Sequence, residues 1–171
     1  MKKLLLIIFI FLGVFANAQN GKLELSTLLE ISNSTVSNIS NTIRPKGFTL
    51  QYARDFQFEN TKYQQVCWAY GATYNEKSGT WSYYNSIAII RVNFEKEQNT
   101  PKNLEYYTDD ATTYNSFFET LIKLGYKKYD EWIDSESGKI HSWYENERTN
   151  KKICLSESSS GFKYDLSIFN Y

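Results

Sequence analysis

Apolar positions along this chain follow two periods, and the switch from one to the other occurs twice. Leu25, Leu28, Leu29, Ser32, Val36, Ile39 and Ile43 are three and four residues apart, which is one face of a helix. Thr27 with Glu30 fits a capping box at its start, and Pro45 and Gly47 end it. The Ser and Asn content makes this helix intrinsically weak, so it either leans on packing or breaks midway. Phe48, Leu50 and Tyr52 then alternate with polar residues, as a strand does. A second extended run covers 63–74. After the turn Glu76-Lys77-Ser78-Gly79, a third covers 81–94, where Ile87 to Ile90 and Val92 read as a central strand apolar on both sides. The polar stretch 95–103 closes the first half.

The same succession then returns. Asp110 caps a second helix whose apolar face is Tyr114, Phe117, Phe118, Leu121 and Leu124. The two helix exits match, Ile43-x-x-x-Gly47-Phe48 and Leu121-x-x-x-Gly125-Tyr126, with glycine where a left-handed residue ends a helix. A meander of strands at 126–133, 139–147, 151–157 and 162–170 follows. Its turns are Ser135-Glu136-Ser137-Gly138, Arg148-Thr149-Asn150 and Ser158-Ser159-Ser160-Gly161. The expected fold class is α+β: two consecutive helix-plus-antiparallel-meander halves, about 19–98 and 99–171. Each half packs its helix on one face of one continuous sheet or of two abutting sheets.

Ahead of this lies a segment of another kind. Lys2 and Lys3, an unbroken apolar run from Leu4 to Val14, and Ala16-Asn17-Ala18 have the form of a signal peptide, residues 1–18. The run is shorter than the ~20 residues a membrane span needs. The expected mature chain, 19–171, is a single domain in the periplasm or outside the cell, with no stable membrane anchor. Losing Lys2 and Lys3 leaves 17 basic residues against 19 acidic ones, a formal charge of −2. That balance argues against a nucleic-acid partner.

Chemistry-bearing motifs are sparse. Cys67 and Cys154 admit two readings in an oxidising compartment: a single disulfide, or two buried thiols packing as small hydrophobes. With one histidine they make no zinc motif. Asp130, Glu131, Asp134 and Glu136 lack the order of a calcium loop. No Gly-rich phosphate loop or nucleophile elbow occurs, so neither a cofactor nor a metal is expected. His141 shares a strand face with Trp143 and Glu145, the general-base arrangement in outline; a surface imidazole beside a charge is the plainer reading.

Aromatics are 17% of the chain, and many fall on predicted strands. Trp68, Tyr70, Trp81, Tyr83, Trp132, Trp143 and Tyr144 are the candidates for a sheet face left open to a partner, since Trp and Tyr dominate interfaces. The competing reading buries them or pairs them across strands. The leader's Ala16-Asn17-Ala18-Gln19 ending resembles those of small secreted proteins of the Bacteroidota. In layout, the tandem helix-plus-sheet halves resemble the β-lactamase inhibitor protein, whose repeated halves form an aromatic-rich concave sheet; no residue motif carries that likeness.

The expectation is an exported bacterial protein without catalysis that grips a protein partner in the envelope or outside, of the inhibitor or toxin-immunity kind. One alternative is a small envelope hydrolase or lyase using Glu145, His141 or Asp134. Another is a carrier of an apolar ligand.

Overall fold

The structure, a computed structural model, describes residues 21–97, 100–159 and 163–171, without the side chains of 85, 86 and 100. The expected leader at 1–18 lies outside the described residues, as do Ser160, Gly161 and Phe162 of the last predicted turn and strand. The elements are α1 (Leu25–Ile31), α2 (Val36–Ile43), a 3₁₀ turn (Arg44–Lys46), β1 (Thr49–Phe58), β2 (Thr61–Asn75), β3 (Thr80–Glu95) and β4 (Thr100–Thr108). After these come α3 (Ala111–Lys123), β5 (Lys127–Ile133), β6 (Ile140–Glu145), β7 (Lys151–Glu157) and β8 (Tyr164–Asn170). The fold is α+β, dominated by one antiparallel eight-stranded sheet of order β1-β2-β3-β4-β8-β7-β6-β5. Among the described residues no helix is long and apolar enough to cross a membrane.

The first predicted helix is two helices. Ser32 Oγ donates to Leu29 O at 2.8 Å and Ser34 Oγ to Glu30 O at 3.2 Å, local bonds that compete with the helical ladder. Thr35 Oγ1 then accepts from Asn38 N and caps α2. The expected capping box fails: α1 starts at Leu25, with Glu24 in the cap position and no side-chain cap bond. Both helix exits form as read. Gly47 has φ +88° and Gly125 φ +82°, and the Phe48 and Tyr126 amides reach back to Ile43 O and Leu121 O. Asp110 Oδ1 caps α3, accepting from Thr112 N at 2.8 Å and Thr113 N at 3.3 Å. β4 is the strand absent from the sequence reading. Its Leu104, Tyr106 and Thr108 are buried at alternate positions just beyond a stretch that looked polar.

Successive side chains leave a strand on opposite faces, so each face is named here after one residue of β3. The Ile90 face carries Val66, Trp68, Val92, Leu104, Tyr106, Ile153, Leu166 and Ile168. The same buried cluster takes in Leu25, Leu28 and Ile31 of α1, Ile39 and Ile43 of α2, and Phe117 and Leu121 of α3. Trp68 lies deep in it, its Nε1 donating to Ser40 Oγ at 3.1 Å; emptying such a site costs about 3–5 kcal/mol. On the Arg91 face a smaller cluster, Tyr52, Cys67, Ala69, Ala72 and Ile89, is edged by Tyr74, Trp81 and Tyr107.

Polar ties fix the helical segment to the sheet. Tyr106 Oη donates to Gly21 O at 3.1 Å. Lys151 Nζ donates to Ser32 Oγ, Asn33 Oδ1 and Asn170 Oδ1, and Asn170 Nδ2 donates to Ser32 O and Pro101 O, binding the α1–α2 joint to β7 and β8. Burial alone drives the Lys151 ammonium below its ordinary titration range.

The disulfide reading is overturned: Cys67 and Cys154 are both free and buried. They stand on β2 and β7, four sheet positions apart. At about 4.8 Å per position that is roughly 19 Å, far beyond the ~7 Å limit between bridged Cα atoms. Denatured under non-reducing conditions, the purified protein should titrate both thiols, and reductant should leave its melting temperature unchanged. Thiol counting and paired melts check this.

Candidate functional site

The Arg91 face is organised by register. Reading across the sheet, Arg54, Gln65, Asn93 and Asn103 occupy one level, and Tyr52, Cys67, Arg91, Glu105, Ser167, Cys154 and Trp143 the next. The first level is a chain of donors and acceptors. Arg54 Nη2 donates to Gln65 Oε1 at 2.7 Å, Gln65 Nε2 to Asn93 Oδ1 at 2.9 Å, and Asn93 Nδ2 to Asn103 Oδ1 at 2.8 Å. Asn103 Nδ2 then donates to Glu105 Oε1 at 3.3 Å. Tyr52 Oη joins it at Gln65 Oε1, 3.1 Å.

Glu105 closes the network. Its Oε2 accepts from Tyr107 Oη at 2.6 Å and from Arg91 Nη1 at 3.2 Å, and the Arg91 guanidinium lies 5.2 Å from the Tyr107 ring centre. Burial works against the Arg91 charge, but Tyr107 and Glu105 outweigh it and the guanidinium stays protonated. Burial and then Glu105 push the Tyr107 hydroxyl well above its ordinary range, so it remains a donor. Such charge-assisted bonds are short and hold geometry.

The other half of the face is built of rings and small polar groups. Trp132 and His141 stack at 4.3 Å with 19° between planes, and Trp143 and Phe169 at 5.4 Å with 28°. His141 Nδ1 lies 3.0 Å from Ser156 Oγ and 3.8 Å from Cys154 Sγ. Lys139, just before β6, pairs with the buried Asp165 of β8, across β7.

Ser156 is 2% exposed and Cys154 3%. Burial raises the Cys154 thiol above its ordinary range, so neither group is an exposed or activated nucleophile. Asp134 is engaged by its own turn. Its Oδ1 accepts from Glu136 N at 2.9 Å and Ser137 N at 3.3 Å, bonds that hold the carboxyl below its ordinary range. Glu145 is exposed at the end of β6, opposite Lys127 and Lys152. Among the described residues no group of three or more His, Cys, Asp and Glu is placed to hold a metal.

The seven aromatic candidates divide between the faces. Trp81, Tyr83, Trp132 and Trp143 occupy Arg91-face register positions: Trp81 pairs with Tyr74, Tyr83 with Ala72, and Trp132 with His141. Tyr83 is 53% exposed and Trp132 45%, while Trp81 and Trp143 are half-buried. Trp68 and Tyr144 are corrections, buried in the Ile90-face core at 2% and 3%. Tyr70 packs there too, against Phe48. The run Val66-Cys67-Trp68-Ala69 is apolar at every position, so its sequence does not say which parity faces the helices.

Sequence reasoning missed the polar half of the site: Arg54, Gln65, Arg91, Asn93, Asn103, Glu105 and Tyr107. A signal existed. Arg91 and Asn93 on β3 and Asn103, Glu105 and Tyr107 on β4 recur at period two, which on adjacent strands makes one polar stripe. Several grooves lie away from it. One of about 550 Å³ adjoins Ser40, Arg44 and Leu50, and one of about 300 Å³ adjoins Leu124, Glu145 and Arg148.

Comparison with protein-family models, with curated proteins and with solved structures finds nothing that matches this chain. Its functional reading therefore rests on the geometry of this face.

Glu105→Ala should cost about 1–3 kcal/mol, because it strands the Arg91 guanidinium half-buried. Arg91→Met with Glu105→Leu should cost less than the single change, since both charges leave together. Urea unfolding of the unaltered protein and the two variants measures this.

His141 sets a pH dependence. Burial, then Lys139, depress its titration below 6.5. The unfolded chain therefore binds more protons between the depressed value and 6.5. Its stabilising share is full above about pH 6.5 and is lost as pH falls through the depressed value. Melting temperature should fall between about pH 7.5 and pH 5, and less so in His141→Gln.

Proposed function

We propose that this chain is an exported bacterial binding protein without catalysis, and that its Arg91 face grips a protein partner, as an inhibitor or a toxin-immunity protein does. The fold reading that goes with it has α1, α2 and α3 all covering the Ile90 face. It treats the chain as two consecutive halves meeting at β4 and β8, an arrangement supported by the strand order and the two matched helix exits.

The observation that carries the proposal is the composition and fixation of the Arg91 face. Its side chains include Arg54, Arg91, Tyr52, Tyr107, Trp132 and Trp143, of the types that dominate protein interfaces. The polar ones are held before any partner arrives by bonds from Arg54 through to Tyr107, and Trp132 and Trp143 by stacking on His141 and Phe169. Ordered side chains lose little further entropy on binding, which is the benefit of preorganisation.

A protein suits this face better than a sugar. Strand side chains stand roughly upright on a sheet. Trp132 with His141 and Trp143 with Phe169 already use their ring faces on each other. The edges and polar tips that remain suit peptide groups better than the flat stacking a sugar ring needs.

The catalytic alternative draws less from the geometry, because Ser156 and Cys154 are buried and Asp134 is occupied by its turn. So does the carrier alternative, because Leu28, Ile31, Ile39 and Ile43 are fully packed beneath the helices.

The test starts from immobilised 19–171 exposed to envelope extract and culture fluid. The partner so identified is purified and titrated against variants. Trp132→Ala and Trp143→Ala should each weaken binding at least ~10-fold. Phe118→Ser, on the exposed side of α3, should leave it unchanged. No partner, or one indifferent to both tryptophans, overturns the proposal.

A further inference from the structure

The two edges of the sheet are unequal. Among the described residues β1 and β5 each have a strand neighbour on one side only, which leaves backbone N–H and C=O groups open along the other. In β5 a register shift between Lys128 and Asp130 falls inside a seven-residue strand. Such a bulge bends and blunts an edge. In β1 the shift lies between Leu50 and Tyr52, so Tyr52 to Phe58 run in unbroken register.

The charges that would guard the β1 edge are turned inward across β2. Arg54 donates to Gln65, and Asp55 pairs with Lys96. Phe56 and Phe58 remain 39% and 64% exposed. Phe56 is already stacked on Tyr63, 5.3 Å between ring centres.

We propose that the β1 edge pairs with β1 of a second copy, antiparallel, continuing the sheet across a two-fold axis at Phe56. A two-fold axis normal to a sheet keeps each face continuous, so a single residue must sit opposite itself. Charge and register select which one. Centred on Arg54, two guanidiniums face each other; centred on Asp55, two carboxylates do. Centred on Ala53, the overlap runs into the bulge at Gln51. Centred on Gln57, Asp55 faces Glu59 of the second copy. Centred on Phe56, no like charges meet: Arg54 faces Phe58 of the second copy, Asp55 faces Gln57, and Phe56 faces its own counterpart. Directly opposed side chains of this kind stabilise antiparallel pairs. Because β5 is blunted, the assembly closes as a dimer rather than growing into a filament.

The pairing does not depend on the Arg91-face partner, so the two proposals fail separately. Sedimentation equilibrium of 19–171 should show a concentration-dependent dimer. Phe56→Lys, checked for native folding by circular dichroism, should weaken that dimer at least ~10-fold by setting lysine against lysine. Under mild oxidant Phe56→Cys should trap a covalent dimer. Gln57→Cys should not, because the two copies of residue 57 are out of register and beyond the ~7 Å reach of a disulfide. A monomer at every concentration, or equal trapping at 56 and 57, overturns the proposal.

Discussion

Every inner strand of this sheet serves two surfaces at once, because neighbouring side chains leave it on opposite sides. On β3, Ile90 and Val92 belong to the core shared with the helices, while Arg91 and Asn93 between them belong to a polar stripe. The price of that alternation is a guanidinium near the centre of a sheet. It is tolerable only because β4 sets Glu105 and Tyr107 beside it in register. Remove the register and the same residues are an unpaired charge, a stranded carboxylate and a half-buried phenol. The β3–β4 ladder is thus the constraint on which both the core and the candidate site depend.

The helical segment is held by few but well-directed contacts. A weak, Ser- and Asn-rich sequence would not sustain a long helix in water. Here it breaks at Ser32–Thr35, and the break itself becomes an attachment point, since Ser32 and Asn33 accept from Lys151. Among the described residues the hydrogen-bond acceptors of Lys151 are a hydroxyl and two amide oxygens, with no carboxylate. Burial there disfavours its charge. The joint therefore fixes geometry more than it adds Coulombic stability.

Electrostatically the Arg91 face is self-contained. In its polar stripe Arg54, Arg91, Glu105 and the row of amides answer one another, and Lys139 answers Asp165. Residues 19–171 as a whole carry a formal charge of only −2. Recognition by such a surface depends on shape and matched polar groups more than on long-range attraction. The β1 edge differs in kind: it offers backbone groups and two exposed phenylalanines rather than a fixed polar array.

Much of the fold was written in local signals. Gly47 and Gly125 with the residues flanking them, Asp110 ahead of α3, and the alternation of Tyr164, Leu166 and Ile168 on β8 each act within a few residues, so periodicity and capping chemistry reveal them. β4 was hidden because Pro101, Lys102 and Asn103 read as loop, although Leu104, Tyr106 and Thr108 carry the strand period. Sequence placed aromatic residues on strands without assigning their side. That choice belongs to the ladder: Trp68 opposite Ile90 goes inward, and Trp143 opposite Cys154 goes outward. The separation of Cys67 from Cys154 and the meeting of Arg91 with Glu105 arise in the same way, from strands brought together across the chain. A residue's own neighbours determine how it bends the backbone; only the pairing of distant strands determines which side it faces and what it meets there.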